Sequence, residues 1–409
     1  MRLARPIPDS IVRYLLVAAV LAASFYSFLL ASANWLFRQD TAASVPAAAK
    51  LVPYNSAYLA RFAAWKSDEK IALLHRAVAL NPFDFESLIQ LGLNSEFQQR
   101  DASAAERYYL KAVEVNKMFL PKWTLTNFYF RLDRKAEFFR WASATLAITP
   151  YAPEPVFVQM WLMSQDAAEI AKAIPDRPRI LLPYAWFLSN SHQYALIAPI
   201  VQRLIERVGR RNPWAWGRDD LIAAIEDRLV AEGYRDQALS IWKSMAKAGW
   251  IAKDVPSVRR PITNGEFKTI FFRHGYDWIP GNADCARAEQ IAAQGELHLQ
   301  FSGNQPENCI ALQQYIPLQP GRIYRLQWEA QSQGTDKPSG LTWHLRGAGK
   351  AGLFETVSAD LLASRPEVWI FHSPPNAEVG VLTLEYARPL GQLRAKDTVT
   401  LKSVFSSVS

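Results

Sequence analysis

Four aromatic residues in the C-terminal third of the chain, Tyr276, Trp278, Trp343 and Trp369, together with Gln327 and Glu385, carry the chemistry of a carbohydrate site. Flat rings stack on the apolar C–H face of a sugar, while amides and carboxylates pair with its hydroxyls. The same Trp residues have a second role open to them, because strand alternation sets several on an inward face, where they would be core. Cys285 and Cys309 are the chain's two cysteines. In an oxidising compartment they would form a disulfide, close a loop and stabilise the fold by about 3 kcal/mol. The alternative is two unpaired buried thiols. No C-x-x-C accompanies them, and four of the six histidines, His274, His298, His344 and His372, are too scattered for a zinc signature. H-E-x-x-H, G-x-S-x-G, a phosphate-cradling loop and a dinucleotide fingerprint are all missing from the sequence. A carboxylate pair for glycoside hydrolysis is set by geometry rather than spacing. The expectation is therefore a binding or structural protein: no enzyme, no catalytic residues, no cofactor and no metal.

Short alternating segments position these residues. Leu297 to Phe301, Tyr324 to Trp328, Leu341 to Leu345 and Val381 to Glu385 each alternate apolar and polar, with turn signals at Pro320-Gly321 and Pro338-Ser339-Gly340. Strands of this length and spacing point to a two-sheet sandwich of jelly-roll type. The hydrophobic period changes near Val255-Pro256, and before it the chain reads as paired helices. Ala77 to Pro82 is echoed by Ala112 to Lys117 and by Thr145 to Pro150. Asn81 to Asn116 is 35 positions and Asn116 to Thr149 is 33. Small residues let two helices approach, and Pro stops the second before the next begins. From Val156 to Trp250 the apolar spacing stays helical, as in Leu221, Ile222, Ile225 and Leu229, with no clean repeat. Trp214 and Trp216 follow a turn signal; exposed, they would mark a contact surface, and burial against a neighbouring helix is favoured.

Residues 54 to 150 resemble tetratricopeptide repeats. Leu91-Gly92 stands where that family places Leu-Gly, Ala105 and Tyr109 match its small and aromatic positions, and Trp123 stands where the next unit would carry Trp. Thr126-Asn127 replaces Leu-Gly in the second unit, and the third is one residue short. The resemblance implies a concave groove that binds a protein partner. Residues 262 to 405 resemble a jelly-roll carbohydrate-binding module, through Asn264-Gly265-Glu266-Phe267, Tyr276-Asp277-Trp278, Pro320-Gly321-Arg322-Ile323-Tyr324 and Asp397-Thr398-Val399-Thr400-Leu401. The combination is similar to proteins of bacterial exopolysaccharide gene clusters, which implies a scaffold or accessory role in polysaccharide assembly or export, with polysaccharide as a second partner. The alternative is a purely protein-binding component with no sugar site.

From Tyr14 to Phe37 no residue is charged, and Tyr14 to Ala33 as a helix would cover about 30 Å, the thickness of a bilayer core. Arg2, Arg5 and Arg13 precede this run, which puts the N-terminus in the cytoplasm and the body outside it. A cleaved signal peptide is the rival, since Ala31-Ser32-Ala33 fits a small-x-small cleavage site. The anchor is favoured because the run is longer than a signal core. The expected organisation is multidomain α + β: a cytoplasmic tip and transmembrane helix over 1–38, a tetratricopeptide-like helical repeat array over 39–255 and an all-β jelly-roll sandwich over 256–409. The expected location is the inner membrane, single-pass, with the body in the periplasm. The net charge of +8, from 46 basic and 38 acidic residues, is scattered apart from Arg203, Arg207, Arg210 and Arg211. No continuous basic stripe suggests nucleic acid as a partner.

Overall fold

A computed structural model of the chain describes residues 9–66, 68–209, 219–332, 339–349, 354–362, 367–373 and 375–408, so Trp214 and Trp216 lie outside the described residues. Fourteen α-helices precede ten β-strands among them. The chain divides into two compact units, Met1–Ala173 and Ile174–Ser409.

The first unit holds α1 (Asp9–Gln39), α2 (Ser44–Leu51), α3 (Ser56–Trp65), α4 (Lys70–Leu80), α5 (Phe85–Phe97), α6 (Ala102–Val115), α7 (Phe119–Arg131), α8 (Lys135–Leu146), α9 (Glu154–Met163) and α10 (Ala167–Ala173). Polar caps start several of them: Asn55 accepts from the Ala57 and Tyr58 amides, Asp84 from Ser87 and Asp101 from Ala104. Neighbouring helices pack in sequence order, α3 on α4, α5 on α6 and α7 on α8. Gly92 shows why a side chain is missing at that point. The Tyr109 ring lies over it so closely that an added Cβ would sit 2.4 Å from the ring. In α1 the stretch Ser10–Gln39 is long and apolar enough to cross a membrane, with a mean hydropathy of 2.1 over 18 of its residues. Those 18 residues are uncovered, yet the last turns of the helix are packed. Ala33 is fully buried, the Phe37 ring meets Tyr58 with centroids 4.8 Å apart, and Arg61 grips Asp40, just past the helix end, through both guanidinium arms.

The second unit starts with α11 (Pro178–Asn190), α12 (Ile197–Val208), α13 (Asp219–Ala231) and α14 (Arg235–Ala248). Ile197, Ile200, Val201, Leu204, Ile205 and Val208 form the buried stripe of α12, the i, i+3, i+4 pattern of a helix with one face in a core. The strands follow: β1 (Ile279–Pro280), β2 (Arg287–Ile291), β3 (Glu296–Gln300), β4 (Asn308–Pro317), β5 (Ile323–Ser332), β6 (Leu341–Gly347), β7 (Glu355–Asp360), β8 (Val368–His372), β9 (Val379–Ala387) and β10 (Thr398–Val408). They form two five-stranded antiparallel sheets, ordered β1-β4-β9-β6-β7 and β2-β3-β10-β5-β8. Alternation drives the two layers together: along β5, Tyr324, Leu326, Trp328 and Ala330 point inward and Ile323, Arg325, Gln327 and Glu329 outward.

Helix gives way to strand between Ala248 and Ile279, around the expected change of period. The boundary between compact units lies earlier, so α11 to α14 belong with the sheets. Their joint is specific. Arg235 donates to the Leu318 carbonyl at 3.0 Å and lies 3.7 Å from Glu378, while Trp242 meets Tyr276 edge-on at 5.9 Å.

Candidate functional site

The six residues expected to bind a sugar do not form one site. Trp278 and Trp343 are fully buried in the layer between the sheets, with ring centroids 6.2 Å apart. Trp369, 9% exposed, packs there against Phe371. Tyr276 is fully buried at the joint with α14 and donates its hydroxyl to the Arg235 carbonyl. None of these rings offers a face to a ligand: Trp343 and Trp369 point inward from their strands, and the loop before β1 buries Tyr276 and Trp278. Gln327 and Glu385 point outward, but from opposite sheets: β5 carries one and β9 the other.

Glu385 anchors a polar cluster on the outer face of its sheet. Arg346 on β6 reaches both Glu385 and, at 2.6 Å, Glu355 on β7. His344 pairs with Glu355 at 2.7 Å and with Thr342 at 2.9 Å, and the Thr383 hydroxyl donates to Glu385 at 2.7 Å. Burial raises the Glu385 carboxyl, and Arg346, Thr383 and His344 together outweigh it and hold the pKa below the ordinary value. Arg346 therefore faces two ionised carboxylates. Every charge in the cluster is already paired, which suits a rigid face better than a vacant one.

Gln327 lies in a different place, a cleft of about 440 Å³ between the outer face of the other sheet and the incoming segment 254–269. Phe405 on β10 stands directly opposite Gln327 in the strand register and is 49% exposed. Gly265 explains how the segment reaches the sheet. Its carbonyl accepts from the Val404 amide at 2.8 Å, and a Cβ there would come 2.2 Å from the Val404 oxygen, so no side chain fits. Phe405 escaped the sequence reading, although its odd position beside inward Val404 and Ser406 marks it as an outward aromatic. Arg346 and Glu355 also escaped it, and His344 was weighed only as a scattered histidine; the alternation Trp343-His344-Leu345-Arg346 carries the signal of an outward polar face.

At the joint of helices and sheets, Glu226 on α13 is fully buried and neither carboxylate oxygen has a partner. Burial, and then the adjacent charge of Asp227, push its pKa well above the ordinary value and favour the uncharged form. Asp227 by contrast takes His274 at 2.7 Å and the Gly275 amide at 2.6 Å. Asp277 nearby is pushed up to about 6 by burial, against hydrogen bonds from the Phe272 and Trp278 amides.

Cys285 and Cys309 form a disulfide with Cα atoms 5.7 Å apart, tying the approach to β2 onto β4. Among the described residues no three His, Cys, Asp or Glu gather as a metal site. No protein-family model matches the chain, and no curated protein matches it significantly.

Proposed function

We propose that this protein is a single-pass inner-membrane protein with its body in the periplasm, a scaffold that assists exopolysaccharide assembly or export. Tetratricopeptide-type helical repeats hold a protein partner, and a jelly-roll sandwich touches glycan. The observation that carries the anchored reading is α1. Its apolar stretch is uncovered while its final turns are packed into the first unit. Cleavage after Ala33 would have to cut inside a continuous helix at a fully buried residue. Arg13 on the N-terminal side fits the positive-inside rule, and the disulfide fits an oxidising compartment.

Helix spacing supports the repeats. Helix α5 begins at Phe85 and α7 at Phe119, 34 residues on, with the Gly92–Tyr109 contact inside the first pair. The strand order β3-β10-β5-β8 facing β4-β9-β6-β7 supports the jelly roll, since most consecutive strands alternate between sheets. Exposed Phe83, Met118, Tyr151 and Leu162 give the first unit apolar surface for a partner.

Membrane fractionation with N-terminal sequencing tests the anchor: the protein stays with inner membranes and keeps its N-terminus, and mature chains beginning at Asn34 would overturn it. Burial of Tyr276, Trp278, Trp343 and Trp369 favours a second reading, a protein-binding component without a sugar site. Binding of the full chain, in detergent, to a panel of acidic and neutral polysaccharides separates the two, and silence across the panel selects the second.

A further inference from the structure

The cleft beside Phe405 holds the unspent binding groups of the second unit. Its other charged side chains and Asn264 are engaged: Asp254 accepts from the Asn264 amide at 2.6 Å, the Asn264 side chain is closed onto Thr269, and Lys268 pairs with Glu266 at 2.6 Å. The Ser406 hydroxyl, buried in the cleft wall, has no partner among the described residues. The Gln327 amide and the Arg260 guanidinium make no hydrogen bond or ion pair among the described residues, and both are exposed. Phe405, opposite Gln327 in the strand register, lines the same cleft with a half-exposed ring that stacks on no other ring among the described residues. The volume, about 440 Å³, falls within the ~300–1,000 Å³ of small-molecule sites.

These three groups have complementary uses. The Phe405 face suits the apolar C–H surface of a pyranose. The Gln327 amide, with a donor and an acceptor side by side, suits adjacent hydroxyls. The planar fork of Arg260 suits a carboxylate and gains nothing from a neutral sugar. We infer that this cleft binds an acidic sugar residue, a hexuronate unit of an anionic polysaccharide. The inference rests on the glycan arm of the function proposed above, and it moves the contact from the buried tryptophans to an exposed phenylalanine on the outer face of one sheet.

The test titrates full-length protein in detergent with oligogalacturonate and with a neutral gluco-oligosaccharide of equal length. The expected result is tighter binding of the acidic probe, weakened about tenfold by Phe405→Ala and by Gln327→Ala. Arg260→Ala should weaken the acidic probe alone, and Glu385→Gln on the other sheet should change nothing. Melting temperatures of all four variants are measured alongside, so that a loss of binding is not a loss of fold. Binding unchanged in the three cleft variants overturns the site while leaving the glycan reading intact. Equal binding of the neutral probe overturns the acidic class. No binding of any polysaccharide in the panel overturns the glycan reading and the cleft with it.

Discussion

Glu226 and Asp227 are neighbours with opposite fates. Asp227 is held by His274 and the Gly275 amide, whereas burial raises the Glu226 carboxyl well above its ordinary value. A carboxyl raised in the folded state binds a proton that the unfolded chain releases, so its contribution is whole below the ordinary value of 4.5 and is lost as pH rises toward the raised one. Asp277 has the same sign, with its contribution lost between 3.8 and about 6. Glu226→Gln should therefore flatten the fall in melting temperature with rising pH, leaving the Asp277 part below about pH 6. An unchanged slope in scanning calorimetry would show that Glu226 titrates normally. Gly275 guards the same spot: its φ is +55° and an added Cβ would lie 2.6 Å from Glu226 Cγ and 2.9 Å from Trp242. Gly275→Ala should cost about 3 kcal/mol in urea unfolding through strain and overpacking together. At this scale the inward side of Trp343 was legible from the alternation of 341–345, since side-chain direction along a strand is local. Glu226 was not. In Ile225-Glu226-Asp227 it reads as a solvated helix charge, and only the arrival of Gly275, 49 positions on, buries it.

Among the elements, the segments expected as strands at 297–301, 324–328, 341–345 and 381–385 fall on β3, β5, β6 and β9, because period-2 alternation reports a sheet with one covered face. The grouping of α11 to α14 with those sheets was hidden. Their apolar stripes say that each helix is covered, and not by what. That grouping alters what the disulfide should do. Opening the Cys285–Cys309 bridge, 24 residues apart, costs about 3 kcal/mol on the chain-entropy estimate. Reduction should lower the melting temperature of the sandwich and of the four helices joined to it, while the Met1–Ala173 unit melts as before. Circular dichroism during a reduced thermal scan checks this. Helical signal lost together with the β signal is the expected outcome, and β signal lost alone would mean that the helices stand independently.

For the whole molecule, the uncharged run announced an element long enough for a bilayer, whereas its packing into the following helices left no mark in composition. Ala33, Phe37 and the Asp40–Arg61 pair make α1 continuous with the first helical unit. A flexible tether would let a domain swivel; the membrane anchor proposed above would instead be keyed into its load like a shaft into a hub. One residue added to a helix turns everything beyond it by about 100° and advances it by about 1.5 Å. A single Ala inserted after Phe28 should thus rotate the bearing of the first unit against any membrane-embedded neighbour while leaving membrane insertion and folding untouched. Cysteine crosslinks to that neighbour should vanish with one inserted residue and return with four, as the helix comes back into phase; crosslinks indifferent to insertion would show that the shaft turns freely. On the anchored reading, angular position about the membrane normal becomes a property written into the length of α1.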